Sequence, residues 1–82
     1  MFVQKLEVTV IRNREGKYFS TFNDGHAQIN EWVTELFQAS KHSTDLKDPA
    51  AVVWEGDART REELKDCEVV PMTLLFCVPD GR

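Results

Sequence analysis

The most hydrophobic part of the chain lies close to its carboxyl end, from Val69 to Val78. It reads VVPMTLLFCV and contains no charged residue. A strand that is apolar on both faces usually lies inside a sheet, with neighbours on both sides. Proline cannot donate to an interior ladder, so Pro71 should mark the beginning of this strand or a bulge. We therefore expect the last strand to be the central strand of the fold.

The first part of the chain predicts a β-hairpin. Leu6, Val8 and Val10 alternate with polar residues between positions 3 and 11, which is the period of a strand with one buried face. The segment RNREGK follows and places Gly16 where a hairpin loop commonly needs a left-handed backbone. The aromatic and β-branched residues of YFSTF then predict the returning strand.

A helix is predicted after the hairpin, over NDGHAQINEWVTELFQASKHS. Its opening residue would be Asn23 or Asp24, because either side chain can accept hydrogen bonds from the free amides of a first helical turn. The apolar positions recur with the spacing of one helical stripe. They are Ile29, Trp32, Val33, Leu36 and Phe37.

The segments that follow predict a strand, a short helix and the last strand. AAVVWEGD gives a short strand that ends at Gly56, and ARTREELKDCE gives a short helix with Thr60 and Glu63 spaced as in a capping box. The predicted fold class is α+β: a mixed four-stranded sheet, one main helix crossing a face and a short second helix. The last strand would lie parallel to the first, in keeping with right-handed crossovers.

Length and composition set limits on function. A chain of 82 residues predicts one domain, and its net charge of −4 is not accompanied by the clustered Lys and Arg that nucleic-acid binding needs. The amino-terminal segment lacks the features of a signal peptide, and no apolar run approaches the roughly 20 residues of a spanning helix. These features predict a cytoplasmic protein with no nucleic-acid or membrane partner.

Chemistry-bearing motifs are scarce. Cys67 and Cys77 lack the close-paired spacing of a zinc or redox site, and His26 and His42 stand in or beside the predicted helix without a visible partner. Phosphate loops, metalloprotease helices and nucleophile elbows are not found. We expect a protein that is not an enzyme, with no catalytic residue and no bound metal or cofactor.

The order of elements resembles the β-grasp, or ubiquitin-like, fold. The segments that carry the resemblance are EVTVIRNREGKYFSTF, NDGHAQINEWVTELF and VVWEGDARTREELKDCEVVPMTLLFCVPDG. The end of the chain is also similar to sulfur-carrier relatives, whose last strand runs into a short tail that ends in glycine. The resemblance implies a β-grasp domain over residues 1–78 and a flexible tail over residues 79–82. The tail has Asp80 where the family has the first of two glycines.

The resemblance implies a ubiquitin-like modifier, expected to be a monomer. Gly81 would supply the conjugated carboxylate after a processing peptidase removes Arg82, and Val78, Pro79 and Asp80 would form an extended tail. An activating enzyme would adenylate Gly81 with ATP and magnesium, and a conjugating enzyme would receive it as a thioester. Glycine suits this role because it lacks a side chain that would crowd thiolate attack.

Partner binding would use an exposed face of the sheet, with Val53, Leu75 and Cys77 as candidates if their neighbours point to the core. Two alternatives stay open. One is a small acidic inhibitor acting through a carboxylate surface, and the other is a non-conjugated β-grasp adaptor that docks a partner through its sheet. The acidic surface would comprise Asp45, Asp48, Glu55, Asp57, Glu62, Glu63 and Asp66.

Overall fold

A computed structural model describes residues 2–79. It is a small α+β domain with a four-stranded antiparallel sheet and one α-helix. The strands are β1 (Phe2–Arg12), β2 (Tyr18–Asn23), β3 (Gln28–Val33) and β4 (Glu68–Val78), and the helix is α1 (Ala58–Leu64). Short 3₁₀ turns occupy Leu36–Gln38 and Pro49–Val52.

The first hairpin and the short helix are confirmed. Gly16 has a φ of 82°, and the Asn13 side chain accepts hydrogen bonds from the amides of Glu15 and Lys17 within the loop. Helix α1 begins where ARTREELKDCE predicts it. Its capping residue is Asp57, whose carboxylate accepts from the Thr60 amide, so the prediction of a cap at Thr60 is wrong.

The predicted main helix is wrong, because residues 28–33 form β3. Asn23 and Asp24 use their side chains in a tight turn: Asn23 accepts from the Gly25 amide, and Asp24 accepts from the amides of His26 and Ala27. Gly25 has a φ of 96°, which glycine adopts at little cost. The turn reverses the chain, and β3 pairs with β2 over all six residues.

The position of the last strand is also different from the prediction. The strand order is β3-β2-β1-β4, so β4 lies at a margin of the sheet and not at its centre. It pairs antiparallel, not parallel, with β1, from Phe2 opposite Val78 to Arg12 opposite Glu68. The segment AAVVWEGD forms no strand; its first three residues belong to the Pro49–Val52 turn, for which Asp48 accepts from the Ala50 amide.

The core lies at one end of the molecule. It is built from Ile11, Phe19, Ala50, Val53 and Leu64, with Trp32, Leu46, Val52 and Cys67 packed around them. Helix α1 contributes Leu64, and Arg61 donates to the carbonyls of Ala50 and Val53 at 2.9 and 3.1 Å. These bonds fix the helix to the Pro49–Val52 turn.

The other end of the molecule is a two-stranded ribbon. β1 and β4 pair over eleven residues, whereas β1 and β2 pair only at Arg12 and Tyr18. The six outer residues of β1, positions 2–7, are all exposed. The radius of gyration is 14.7 Å, compared with about 12 Å for a compact chain of this length. We call residues 2–7 and 73–78 the distal ribbon.

Candidate functional site

The distal ribbon has two chemically different faces. In an antiparallel pair, residues directly opposite one another point to the same face, and successive residues alternate. One face therefore carries Phe2, Gln4, Leu6, Leu74, Phe76 and Val78. We call this set the apolar face. The opposite face carries Val3, Lys5, Glu7, Thr73, Leu75 and Cys77.

The apolar face is exposed although it has no charged side chain. Leu6 is 49% and Phe76 is 48% exposed, and Phe2 and Val78 are also among the exposed large hydrophobic residues. Gln4 is the one polar residue of the set. A contiguous exposed surface of this composition in a small domain marks a place where another molecule binds.

A cleft of about 390 Å³ borders the apolar face. It is lined by Met72 and Leu74 of β4 and by Leu36, Phe37 and Lys41. The Lys41 ammonium donates to the carbonyls of Leu36 and Phe37, at 3.4 and 2.6 Å, and so holds the 3₁₀ turn at its carboxyl end. The cleft extends the apolar surface from the ribbon towards the body of the domain.

Residues 40–43 link β1 and β2 next to the distal ribbon. His42 forms an antiparallel bridge with Thr9 of β1, with N–O distances of 2.8 and 2.9 Å, and the Thr9 hydroxyl donates to the Ser43 carbonyl. On the other side, the Ser40 amide donates to the Phe19 carbonyl of β2. The segment fills the gap that opens between β1 and β2.

The three predicted partner-binding residues have different positions. Val53 is 5% exposed and belongs to the core, because it ends the turn that packs on Leu64 and Phe19. It cannot line a surface. Leu75 and Cys77 are exposed, on the face of the ribbon opposite the apolar face. Phe2, Leu6 and Phe76 were not predicted as partner-binding residues, and Val78 was predicted only as part of the tail. The alternation of apolar residues in β1 was the available signal for Phe2 and Leu6.

Three of the four residues of the predicted tail, 79–82, lie outside the described residues. Val78 ends β4, and Pro79 follows it, exposed and outside the strand. Asp80, Gly81 and Arg82 lie outside the described residues. The conjugation carboxylate and its processing therefore stay predictions.

A second cleft, of about 430 Å³, lies at the loop end of the first hairpin. It is lined in part by Arg12, Tyr18 and Cys67. Burial, and then the charges of Asp66 and Glu63, raise the pKa of the Cys67 thiol. A thiol with a raised pKa is a weak nucleophile at neutral pH. Among residues 2–79, no group of three or more His, Cys, Asp or Glu side chains is placed to bind a metal ion.

Comparisons with family models, curated proteins and solved structures find no match for this chain. In the part of the chain that the structure describes, no helix has the length and apolar character needed to cross a membrane.

The stability of the domain is expected to depend on pH through His42. Burial lowers the pKa of its imidazole, and the Nε2 atom is buried without a hydrogen-bond partner. Above the ordinary histidine pKa, the imidazole is neutral in both the folded and the unfolded chain, and this contribution to stability is complete. Below it, the unfolded chain takes up the proton first, so this contribution falls by at most about 1.4 kcal/mol per pH unit.

The measurement is urea unfolding of wild type and His42→Leu between pH 7.5 and pH 5. We expect His42→Leu to lose less stability across this range than wild type. His26→Leu, at an exposed histidine in the β2–β3 turn, is the control and should keep the wild-type dependence. If His42→Leu and wild type lose the same stability, the buried imidazole is not the group responsible.

Proposed function

We propose that the protein is a binding module that docks an amphipathic helix of a partner protein on the apolar face of its distal ribbon. The observation that carries this proposal is a sheet face with exposed Phe2, Leu6, Phe76 and Val78 and no charged residue. Because this surface is fully formed by paired strands, it offers side chains and no backbone groups to a ligand. Its occupant must satisfy its own backbone, as a helix does.

The dimensions of the ribbon favour one helix. Neighbouring strands lie about 4.8 Å apart, so two strands with their side chains are about 10 Å wide. An α-helix with its side chains has a diameter of about 10–12 Å. Six strand residues extend about 20 Å, which is the length of about 13 helical residues. The cleft beside Leu36 and Phe37 provides a wall on one side of the bound helix.

The net charge of the chain predicts the sign of the charge on the partner. The chain has a net charge of −4, and the apolar face itself is uncharged. A helix with a leucine stripe and lysines on its outer face would bury the stripe and be attracted by the acidic domain as a whole. The affinity should come from the stripe, and the association rate should fall as salt is added.

A designed helical peptide with a leucine stripe and a lysine face tests the proposal. Fluorescence anisotropy should detect binding to wild type, and the double variant Leu6→Gln, Phe76→Gln should bind about thirtyfold or more weakly. Each replaced side chain removes on the order of 1 kcal/mol of apolar burial from the complex.

The matched control is Leu75→Gln, which removes an exposed leucine from the opposite face of the same strand. It should bind the peptide like wild type. Circular dichroism must show that all variants are folded, which their exposed positions favour. Equal losses in the control and the double variant, or no binding by wild type, would refute docking on the apolar face.

The ubiquitin-like modifier stays a second proposal. The domain is compatible with a β-grasp in having a four-stranded sheet and one helix. The modifier proposal, however, was based on a last strand at the centre of the sheet, and β4 is an edge strand. The tail separates the two functions. A chain that ends at Pro79 should bind the peptide normally if the protein is a docking module. A modifier requires Gly81, and intact mass of the protein from its own cells would show whether Arg82 is removed.

The small acidic inhibitor has less support. Several of its proposed carboxylates have local partners: Asp57 caps α1, Asp48 caps the Pro49–Val52 turn, and Glu62 pairs with Lys65 at 2.9 Å. Asp57 and Asp48 are engaged in capping, Glu62 is paired at the surface, and basic residues separate the carboxylates along the chain. The uncharged apolar face of the ribbon differs more from an ordinary protein surface than these carboxylates do.

A further inference from the structure

The strand edges of the sheet are not equally protected. Exposed edges invite pairing with another chain, and charged side chains on an edge strand discourage it. β3 carries Glu31, and its Asn30 side chain donates to Asp57 beside α1. The outer edge of β1 in the distal ribbon carries Lys5 and Glu7. β4 has no charged residue from Val69 to Val78, and among residues 2–79 no strand lies beyond it.

The direction of the free backbone groups of β4 follows from Thr9. Its N–H and C=O both bond to His42, on the side of β1 away from β4. Thr9 and Pro71, which lie opposite each other, are therefore a pair without mutual hydrogen bonds. By alternation in this regular ladder, Thr73, Leu75 and Cys77 turn their N–H and C=O groups outward. Pro71, which has no N–H, occupies an outward position where it leaves no ladder bond unmade.

Two prolines bracket the open part of this edge. Pro71 lies four residues before Leu75, and Pro79 lies four residues after it. Neither can donate a hydrogen bond to an added strand. The segment Met72–Val78 between them is therefore the stretch of β4 available for pairing, and it is symmetric about Leu75.

We propose that β4 pairs antiparallel with β4 of a second copy of this chain, about a twofold axis at Leu75. A twofold axis pairs each residue with its mirror position, so Leu75 meets Leu75 of the second copy and Thr73 meets Cys77. On the other face, Leu74 meets Phe76, an aliphatic–aromatic pair of the kind that stabilises sheets. In this register each proline meets a proline, so no strand donor is lost within the segment.

Charge favours a second copy as the occupant of this edge. A twofold axis opposes a charged residue to its own copy when that residue lies on the axis, and Met72–Val78 contains no charged residue, so no axis within this segment places like charges opposite one another. The edge strand β3 carries Glu31 and distal β1 carries Lys5 and Glu7, so self-pairing along either edge would bring charged side chains into the interface. The dimer would hold one eight-stranded sheet and leave both apolar faces free, so it is independent of helix docking.

Sedimentation equilibrium and disulfide trapping test the dimer and its register. Wild type should show a concentration-dependent mass of twice the chain, and Leu75→Lys, which places two ammonium groups on the axis, should weaken dimerisation at least about tenfold. Leu75→Cys in a Cys77→Ser background should form a disulfide-linked dimer under mild oxidation, because opposite residues of such a pair have Cα atoms about 5.5 Å apart.

The register control is Thr73→Cys in the same Cys77→Ser background. Residue 73 would face position 77 of the second copy, which has no thiol in this background, so this variant should not become crosslinked. Crosslinking of Thr73→Cys as readily as Leu75→Cys would overturn the register, and a monomeric wild type at millimolar concentration would overturn the dimer. Leu75→Lys should keep peptide binding at the apolar face, so failure of the dimer can be distinguished from failure of helix docking.

Discussion

Replacement of Phe19 by alanine is expected to destabilise the domain by about 3–5 kcal/mol, the usual cost of emptying a buried phenylalanine site. Phe19 is 1% exposed and is the largest of the fully buried side chains. Its ring packs edge-on against Trp32, with centroids 5.5 Å apart and an interplanar angle of 62°. A chain of this length is stable by only about 4–12 kcal/mol in total. The variant should therefore lose a large share of the domain's stability and unfold at lower urea concentration and lower temperature than wild type.

Urea or thermal unfolding, followed by circular dichroism, measures the effect. Phe19→Leu keeps most of the buried volume and should cost much less than the alanine variant. Trp54→Ala is a control for loss of an aromatic side chain, because Trp54 is 73% exposed, and its effect should be within about 0.5 kcal/mol. A loss below about 1 kcal/mol for Phe19→Ala would mean that the core is not organised around this ring.

The first hairpin could be predicted because its signals are local. Alternation along β1 and a glycine in the loop act over a few residues, and the structure confirms both strands and the left-handed Gly16. The short helix α1 was predictable for the same reason. Its apolar contact, Leu64, and its cap, Asp57, lie within eight residues of each other.

The second hairpin was missed because Asx side chains serve two kinds of structure. An Asn or Asp oxygen can cap a helix or close a tight turn, and the apolar spacing after Asp24 favoured the helix. Gly25 was the deciding signal, since Asn-Asp-Gly between residues of high strand propensity is typical of a hairpin. Ser40 bonds to β2 and His42 bonds to β1, each across more than 18 residues of sequence, a separation that no local pattern reports.

The position of β4 was missed because composition alone does not tell a buried strand from an uncovered one. VVPMTLLFCV was assigned to the centre of the sheet for its hydrophobicity, and its outer half is exposed. Pro71 was the better guide, since a proline within a strand is tolerated at an edge where its missing N–H faces outward. The same property that misled the topology prediction, an apolar strand without charges, is the property that supports a binding surface.

Hydrogen exchange should divide the molecule into two parts. The amides of Gln4 and Phe76 lie in the distal ribbon, and two strands without a core beneath them are marginally stable in water. The amide of Val10 lies in the fully buried part of β1. We expect the ribbon amides to exchange about a thousandfold faster than Val10, because the ribbon opens locally whereas Val10 requires unfolding of the whole domain.

The measurement is proton–deuterium exchange followed by NMR, with and without the helical peptide. The peptide should slow exchange at the amides of residues 4 and 76 in wild type but not in the double variant Leu6→Gln, Phe76→Gln. A bound helix stabilises only the paired ribbon that it covers. The outward amides of Thr73, Leu75 and Cys77 should respond to protein concentration instead, since a second copy supplies their acceptors. Equal protection of the Gln4 and Val10 amides in the free protein would mean that the ribbon unfolds together with the rest of the domain. A bound helix would then have no locally opening ribbon to stabilise.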